Sequence, residues 1–129
     1  MVQEETQRPF LLIIDDDLRI LRALRLVLRA DYEVLLAASL SEARTQLESA
    51  PVDIVLCDQR MPDGLGTEFL SLLARERPHT VRLLHSGSPP EDVPALMASG
   101  AVNALIVKPA SVADLRASIE THHNKRKNS

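Results

Sequence analysis

A chain of 129 residues with 45% hydrophobic and 26% charged side chains has the size and composition of one globular domain with a real core. A formal net charge of -3 gives no sign of a basic nucleic-acid surface, and Cys57, the only cysteine, excludes an intrachain disulfide and any cysteine-based zinc pattern. No apolar run approaches the roughly 20 residues that span a bilayer and no signal peptide is recognisable, so a cytoplasmic location is the expectation.

In chain order, residues 1–8 are polar and read as a disordered N-terminal segment. The run from Pro9 to Ile14 predicts a strand. Leu18, Ile20, Leu21, Leu24, Val27 and Leu28 then recur at helical spacing among Arg19, Arg22, Arg25 and Arg29, which predicts an amphipathic helix with Asp17 as its N-terminal cap. Tyr32 to Ala37 reads as a short strand. Ser39-Leu40-Ser41-Glu42 has the form of a capping box that opens a helix to about Ser49. Asp53 to Cys57 is a continuous apolar run of the buried, parallel type. The segment from Met61 to Gly66 carries turn chemistry, and Thr67 to Arg77 predicts a third helix with Phe69, Leu70, Leu72 and Leu73 inward.

Val81 to His85 predicts the fourth strand. Pro89-Pro90 interrupts the chain before a short helix from about Asp92 to Ser99, with Gly100 placed to end it. Ala104 to Val107 is the fifth strand, and Ser111 is placed to cap a last helix running to about His122. Domain limits of 9–123 follow, with 124–129 as a basic tail. Strand and helix alternate throughout, which predicts a doubly wound α/β fold: a five-stranded parallel sheet of flavodoxin-like (βα)5 type, strand order 2-1-3-4-5.

In an open parallel sheet, ligands bind outside the carboxyl ends of the strands. Four of the five strands end in polar residues: Asp15-Asp16-Asp17, Asp58, Ser86-Gly87 and Lys108-Pro109. In the order above, the first and third strands are neighbours, so Asp15, Asp16 and Asp58 meet at the switch point. Crowded carboxylates repel one another and call for a cation. Mg²⁺, which prefers oxygen ligands, fits, and Mn²⁺ can substitute. Asp58 can act as a carboxylate nucleophile toward phosphorus, with Lys108 and Ser86 placed to contact phosphoryl oxygens. Each residue alone also has an ordinary reading: Asp15 as a helix cap, Asp58 as a polar strand end, Ser86 as a turn serine, Lys108 as a surface lysine. His85 lies within a strand and reads as a core histidine rather than a base.

The ordered set Asp15-Asp16, Asp58 with Arg60-Met61-Pro62-Asp63-Gly64, Ser86-Gly87 and Lys108-Pro109 resembles the receiver domain of two-component response regulators of the chemotaxis-regulator type, from about Phe10 to about His122. The resemblance implies that Asp58 is the phosphoacceptor and that the backbone carbonyl of Arg60 joins Asp15, Asp16 and Asp58 around the metal. It also implies a cis Lys108–Pro109 peptide, and that Arg60 and Ser88 flank the site where they tune hydrolysis of the phosphate. A sensor histidine kinase or phosphotransfer protein would be the donor, and an unknown downstream protein the target. A phosphorylation-dependent dimer is among the assemblies implied; direct nucleic-acid binding and membrane association are not.

The family commonly has an aromatic residue three positions before the lysine, where this chain has Leu105. The expected switch therefore rests on Ser86, with Leu105 in place of a rotating ring. The domain is expected to assist its own phosphorylation and dephosphorylation without being an enzyme toward other substrates. Two rivals stand beside this reading. One is a receiver fold that docks without phosphorylation. The other is a haloacid-dehalogenase-like phosphatase using the D-x-D of Asp15–Asp17, for which no late acidic pair follows Lys108.

Overall fold

The apolar runs separated by amphipathic segments fold as their spacing predicts. The computed structural model describes residues 7–127. Strands β1 (Phe10–Ile14), β2 (Glu33–Ala37), β3 (Ile54–Cys57), β4 (Val81–Ser86) and β5 (Ala104–Val107) form one parallel sheet in the order β2-β1-β3-β4-β5. Helices α1 (Leu18–Leu28), α2 (Leu40–Ser49), α3 (Gly66–Glu76), α4 (Val93–Ser99) and α5 (Val112–Lys127) connect and follow them. Because side chains alternate across a strand, each central strand feeds two cores. Leu11, Ile13, Ile54, Leu56 and Leu83 pack under α1 and α5, and Leu12, Ile14, Val55, Cys57 and Leu84 under α2, α3 and α4. β1, β3 and β4 are buried on both faces, which is why they read as unbroken apolar runs.

The helix signals act locally. Asp17 caps α1, its carboxylate accepting from the Arg19 N–H at 2.9 Å. Ser39 caps α2 through the Glu42 N–H, while the Glu42 carboxylate reaches back to the N–H of Ala38. Ser111 accepts from the Asp114 N–H at the start of α5, and Gly100 ends α4 at φ +86°.

Several expectations are corrected. Leu18, Val27 and Leu72 lie on exposed helix faces rather than in the core, because the sheet takes only the stripe of Leu21, Leu24 and Leu28 from α1, and Phe69, Leu70 and Leu73 from α3. The turn at Met61–Gly66 contains a small antiparallel hairpin, Arg60–Met61 against Gly64–Leu65. The last helix, expected to end at about His122, runs on to Lys127 through the start of the basic tail: His123 is buried against the domain and the Arg126 guanidinium lies 3.7 Å from Asp53, so the inner face of α5 continues past His122. The disordered N-terminal segment expected over residues 1–8 lies outside the described residues except for its last two. Of those, Arg8 is tied down, donating to the Arg29 carbonyl at 2.8 Å and pairing with Glu33.

Candidate functional site

The site is built by strand ends. β1 stops at Ile14, and Asp15 extends its ladder by donating its N–H to Ala37 O at 3.1 Å. β3 stops at Cys57, and the Asp58 N–H donates to Ile14 O at 2.9 Å. Because β1 and β3 are adjacent and in register, Asp15, Asp16 and Asp58 converge, each offering a carboxylate oxygen within 4.8 Å of the others. Asp15 is buried, Asp58 half-buried and Asp16 exposed. Three carboxylates of graded exposure at the mouth of a sheet form a hard-oxygen donor set that suits a divalent cation such as Mg²⁺.

Lys108 follows β5 at the same end. Its ammonium bonds Asp15 Oδ2 at 2.8 Å and stands 3.5 Å from Asp58 Oδ2. The peptide between Lys108 and Pro109 is cis, as the resemblance implies. Burial opposes the Lys108 charge, but the hydrogen bond and attraction of Asp15, helped by Asp58, hold its pKa above the ordinary lysine value. For Asp58 the balance goes upward: burial is the largest cause, Lys108 opposes it, and the charge of Asp15 adds to it. A cation or a phosphoryl-bound counterion would relieve the same strain.

Ser86 is the last residue of β4, buried, with its hydroxyl oxygen accepting from the Ser88 N–H at 3.2 Å and its carbonyl from the Lys108 N–H at 3.0 Å. The hydroxyl proton stays available to a ligand. His85 points into the packed sheet, and burial, with Lys108 nearby, depresses its pKa to about 4, so it is a neutral core residue. Cys57 is fully buried, and burial together with Asp58 and Asp15 pushes its thiol pKa up, which makes it inert. Arg60 is exposed, its backbone opening the hairpin beside Asp58. Leu105 is half-buried in β5 and packs on the α2–α4 core.

Four residues of the site's frame have roles that no local signal in the sequence marks. Gln59 and Thr67 are both buried and bond side chain to side chain and side chain to backbone across the loop that follows Asp58. Gly66 lies so close to Asp58 that a Cβ would stand 2.2 Å from its carbonyl oxygen. Asp63, read as turn chemistry and as part of the segment that follows Asp58 but with no capping role, accepts from the Leu40 and Ser41 N–H groups at 2.9 and 3.0 Å and so caps α2 from another loop, which holds its pKa below the usual carboxylate value. A cavity of about 520 Å³ bordered by His79, Asn103 and His122 lies at the other, amino end of the strands and takes no part in this carboxylate cluster.

Residues 11–120 match the family model described as the response regulator receiver domain. The chain is 40% identical over 100 residues to the hydrogenase transcriptional regulatory protein HoxA of Bradyrhizobium diazoefficiens, covering 77% of this chain and 21% of that protein. It is 33% identical over 113 residues to the response regulator protein PilR of Pseudomonas aeruginosa, covering 85% of this chain and 25% of that one. It thus spans about a fifth to a quarter of these relatives' length. Among solved structures, a CheY-like response regulator receiver domain protein from Methanospirillum hungatei superposes with a TM-score of 0.88 at 27% identity, covering 95% of this chain and 98% of that one.

Proposed function

The chain belongs to the response regulator receiver domain family of two-component signalling, and from that premise we propose that it accepts a phosphoryl group on Asp58 with Mg²⁺ bound alongside. The observation that carries the proposal is the convergence of Asp15, Asp16 and Asp58 at adjacent strand ends, with the Lys108 ammonium 2.8 and 3.5 Å from two of them. Asp15, Asp16 and Asp58 would hold the metal, joined by the backbone carbonyl of Arg60; Mn²⁺ has the same ligand preference and would substitute. Bound there, Mg²⁺ would screen the carboxylates and draw charge from the transferring phosphoryl group.

The chain's own residues do the rest. An Asp58 carboxylate oxygen forms a bond to phosphorus as the donor's bond to phosphorus breaks, and that bond's electron pair leaves with the donor. Lys108 follows the developing charge on one phosphoryl oxygen, and the Ser86 hydroxyl donates to another. The donor would be a sensor histidine kinase or a phosphotransfer protein. The same groups assist later hydrolysis, so the domain acts on itself rather than on a separate substrate. Residues 9–123 form the receiver unit in this reading, with α5 carrying on to Lys127. No helix among the described residues is long and apolar enough to cross a membrane. A cytoplasmic domain that works through protein contacts, not by touching nucleic acid itself, is the corresponding proposal.

HoxA is by name a transcriptional regulatory protein, and for this chain a downstream protein or output domain read through a phosphorylation-dependent surface, including a dimer, is proposed by likeness. Leu105 has no ring to rotate, so the switch runs through Ser86 and the Ser86–Pro90 loop. Leu105→Ala is then expected to lower stability by about 1.5–3 kcal/mol while the amide shifts that beryllofluoride induces near α4 persist. Loss of that response in Leu105→Ala with its retention in Ser86→Ala would overturn this account of the switch.

The primary experiment is incubation with acetyl phosphate or phosphoramidate and Mg²⁺. One hydroxylamine-labile phosphoryl group is expected on Asp58, lost in Asp58→Asn. Equal labelling of that variant at another residue would refute the assignment.

A further inference from the structure

Past Asp58 the chain leaves the sheet. The hairpin that follows is two residues per strand, with Pro62 and Asp63 exposed at its tip, and no strand of the main sheet holds it. Its base is nevertheless closed by three bonds to one residue. The Gly66 N–H donates to the Gln59 carbonyl at 2.7 Å, the Thr67 N–H donates to Gln59 Oε1 at 2.9 Å, and Gln59 Nε2 donates to Thr67 Oγ1 at 3.1 Å. Gln59 and Thr67 are 5% and 6% exposed, so both ends of the carboxamide are satisfied inside the protein and neither is shared with bulk water. A leucine of similar volume would fill this space without the cost of burying an amide. What the glutamine adds is direction: a donor and an acceptor that fit Thr67 in one orientation only.

That orientation bears on Asp58. The Gln59 backbone N–H donates to Asp58 Oδ1 at 2.8 Å, while Oδ2 faces Lys108. The two carboxylate oxygens are thereby made unequal before any ligand arrives, one held by the backbone and one turned to the cation side. The next peptide carries the Gln59 carbonyl, held by the Gly66 N–H at 2.7 Å, and the Arg60 carbonyl lies on the peptide after it. Bonds to Gln59 thus fix the backbone between Asp58 and the Arg60 carbonyl.

We propose that Gln59 is a positioning residue for the phosphoacceptor: the clasp between its buried carboxamide and Thr67 holds the Asp58–Gln59–Arg60 backbone in the orientation that metal and phosphoryl binding require. The inference rests on the assignment of Asp58 as acceptor. It goes further in naming a residue that contacts neither ligand yet sets the geometry of two groups that do. Misplacement by about 1 Å costs on the order of 100-fold in a positioned reaction.

The test uses the full 129-residue chain with Gln59→Leu, Thr67→Val and Thr67→Ser, at a temperature where circular dichroism shows each folded. Mg²⁺ affinity is read by NMR titration, and Asp58 labelling by acetyl phosphate is read by intact-mass spectrometry. Gln59→Leu is expected to weaken Mg²⁺ binding and slow labelling by about tenfold or more. Thr67→Val, which strips only the hydroxyl, should show a smaller loss in the same direction, and Thr67→Ser, which keeps it, should restore both toward wild type. The Gln59 amide resonance should move upfield in Thr67→Val, where Gln59 is kept, as its bond to Asp58 lengthens. A purely structural role would lower the melting temperature and leave Mg²⁺ affinity and the amide shift of the folded protein alone. Folded Gln59→Leu with affinity and labelling rate within about twofold of wild type overturns the inference. Should that variant not fold, the same result in Thr67→Val does so. If the wild-type chain itself is not labelled at Asp58, the acceptor assignment has failed instead, and the two failures are told apart.

Discussion

Gly66→Ala tests how the end of β3 meets the start of α3. The backbone of Gly66 lies outside the left-handed region, so the obstacle to a side chain is spatial. A methyl group would stand 2.2 Å from the Asp58 carbonyl oxygen, 3.1 Å from its carbonyl carbon and 3.2 Å from Cys57 Sγ. Relieving the first contact takes a separation of about 1 Å, and the atoms in the way are backbone, pinned by the Asp58 N–H bond to Ile14 O. Overpacking of this kind costs about 1–3 kcal/mol, and stretching the 2.7 Å bond from the Gly66 N–H to Gln59 O adds about 1 kcal/mol. With an unfolding entropy of about 2.1 cal/mol/K per residue, a total of about 2–4 kcal/mol lowers Tm by about 7–15 °C. Asp58 moves with the strain, so labelling by acetyl phosphate should slow by about 10- to 100-fold at a temperature where the variant is folded. Gly100→Ala is the control. Its φ of +86° costs an L-residue about 1–2 kcal/mol, yet no atom lies within 4 Å of the added methyl, and labelling should stay at the wild-type rate. Gly66→Ala protein that melts within about 2 °C of wild type and labels at the wild-type rate would refute this reasoning.

Three further expectations follow from the frame. Arg82 is buried at the start of β4 and donates to the carbonyls of Thr80, Gly100, Ala101 and Pro78 at 2.6, 2.7, 3.0 and 3.3 Å, tying the end of α4 to the sheet. Arg82→Met leaves those carbonyls without their donor and should cost about 3–5 kcal/mol in urea unfolding, with Arg82→Lys intermediate because it lacks the planar fork. His85 has its folded pKa depressed to about 4, below an unfolded value of about 6.5. The unfolded chain therefore binds more protons between those values, and stability falls as pH drops through that window and is flat above it. The His85 share of the loss between pH 7 and 5, about 1–2 kcal/mol, should vanish in His85→Asn, as measured by denaturant midpoints in metal-free buffer. Asp63 has a lowered pKa because its carboxylate accepts the Leu40 and Ser41 N–H groups. Its contribution is present above the ordinary carboxylate pKa and is lost as pH falls through the lowered one. Asp63→Ala should speed amide hydrogen exchange at Leu40 and Ser41 and lower Tm; unchanged exchange at both would show that the cap is not formed in solution.

The elements and the chemistry of their ends were legible because both are local. Unbroken apolar runs mark the buried strands and a period of 3.6 marks the helix faces that must leave water, and polar residues that stop the apolar runs at Asp15, Asp58, Ser86 and Lys108 mark where the strands finish. Given a parallel sheet with β1 beside β3, the meeting of Asp15, Asp16 and Asp58 follows from register alone, and the sheet has that order. Ser39, Asp17 and Ser111 act as caps within four residues of their own position, so their signals needed no tertiary context.

Contacts between distant segments were not legible. Nothing local tells that the Gln59 carboxamide turns inward to Thr67, that Asp63 caps α2 rather than its own turn, or that Arg82 is buried among carbonyls instead of lying on the surface. Leu72 and Val27 carry the same apolar signal as Leu70 and Leu24, and only the width of the sheet beneath each helix decides which are covered. The same holds for α5, which continues past His122 because His123 is buried against the domain and Arg126 meets Asp53 at the amino end of the central strand. Local sequence sets hydrophobic periodicity and turn chemistry, whereas burial of a polar group is favourable only when a partner from elsewhere in the chain satisfies it, and that partner exists only once the chain has folded.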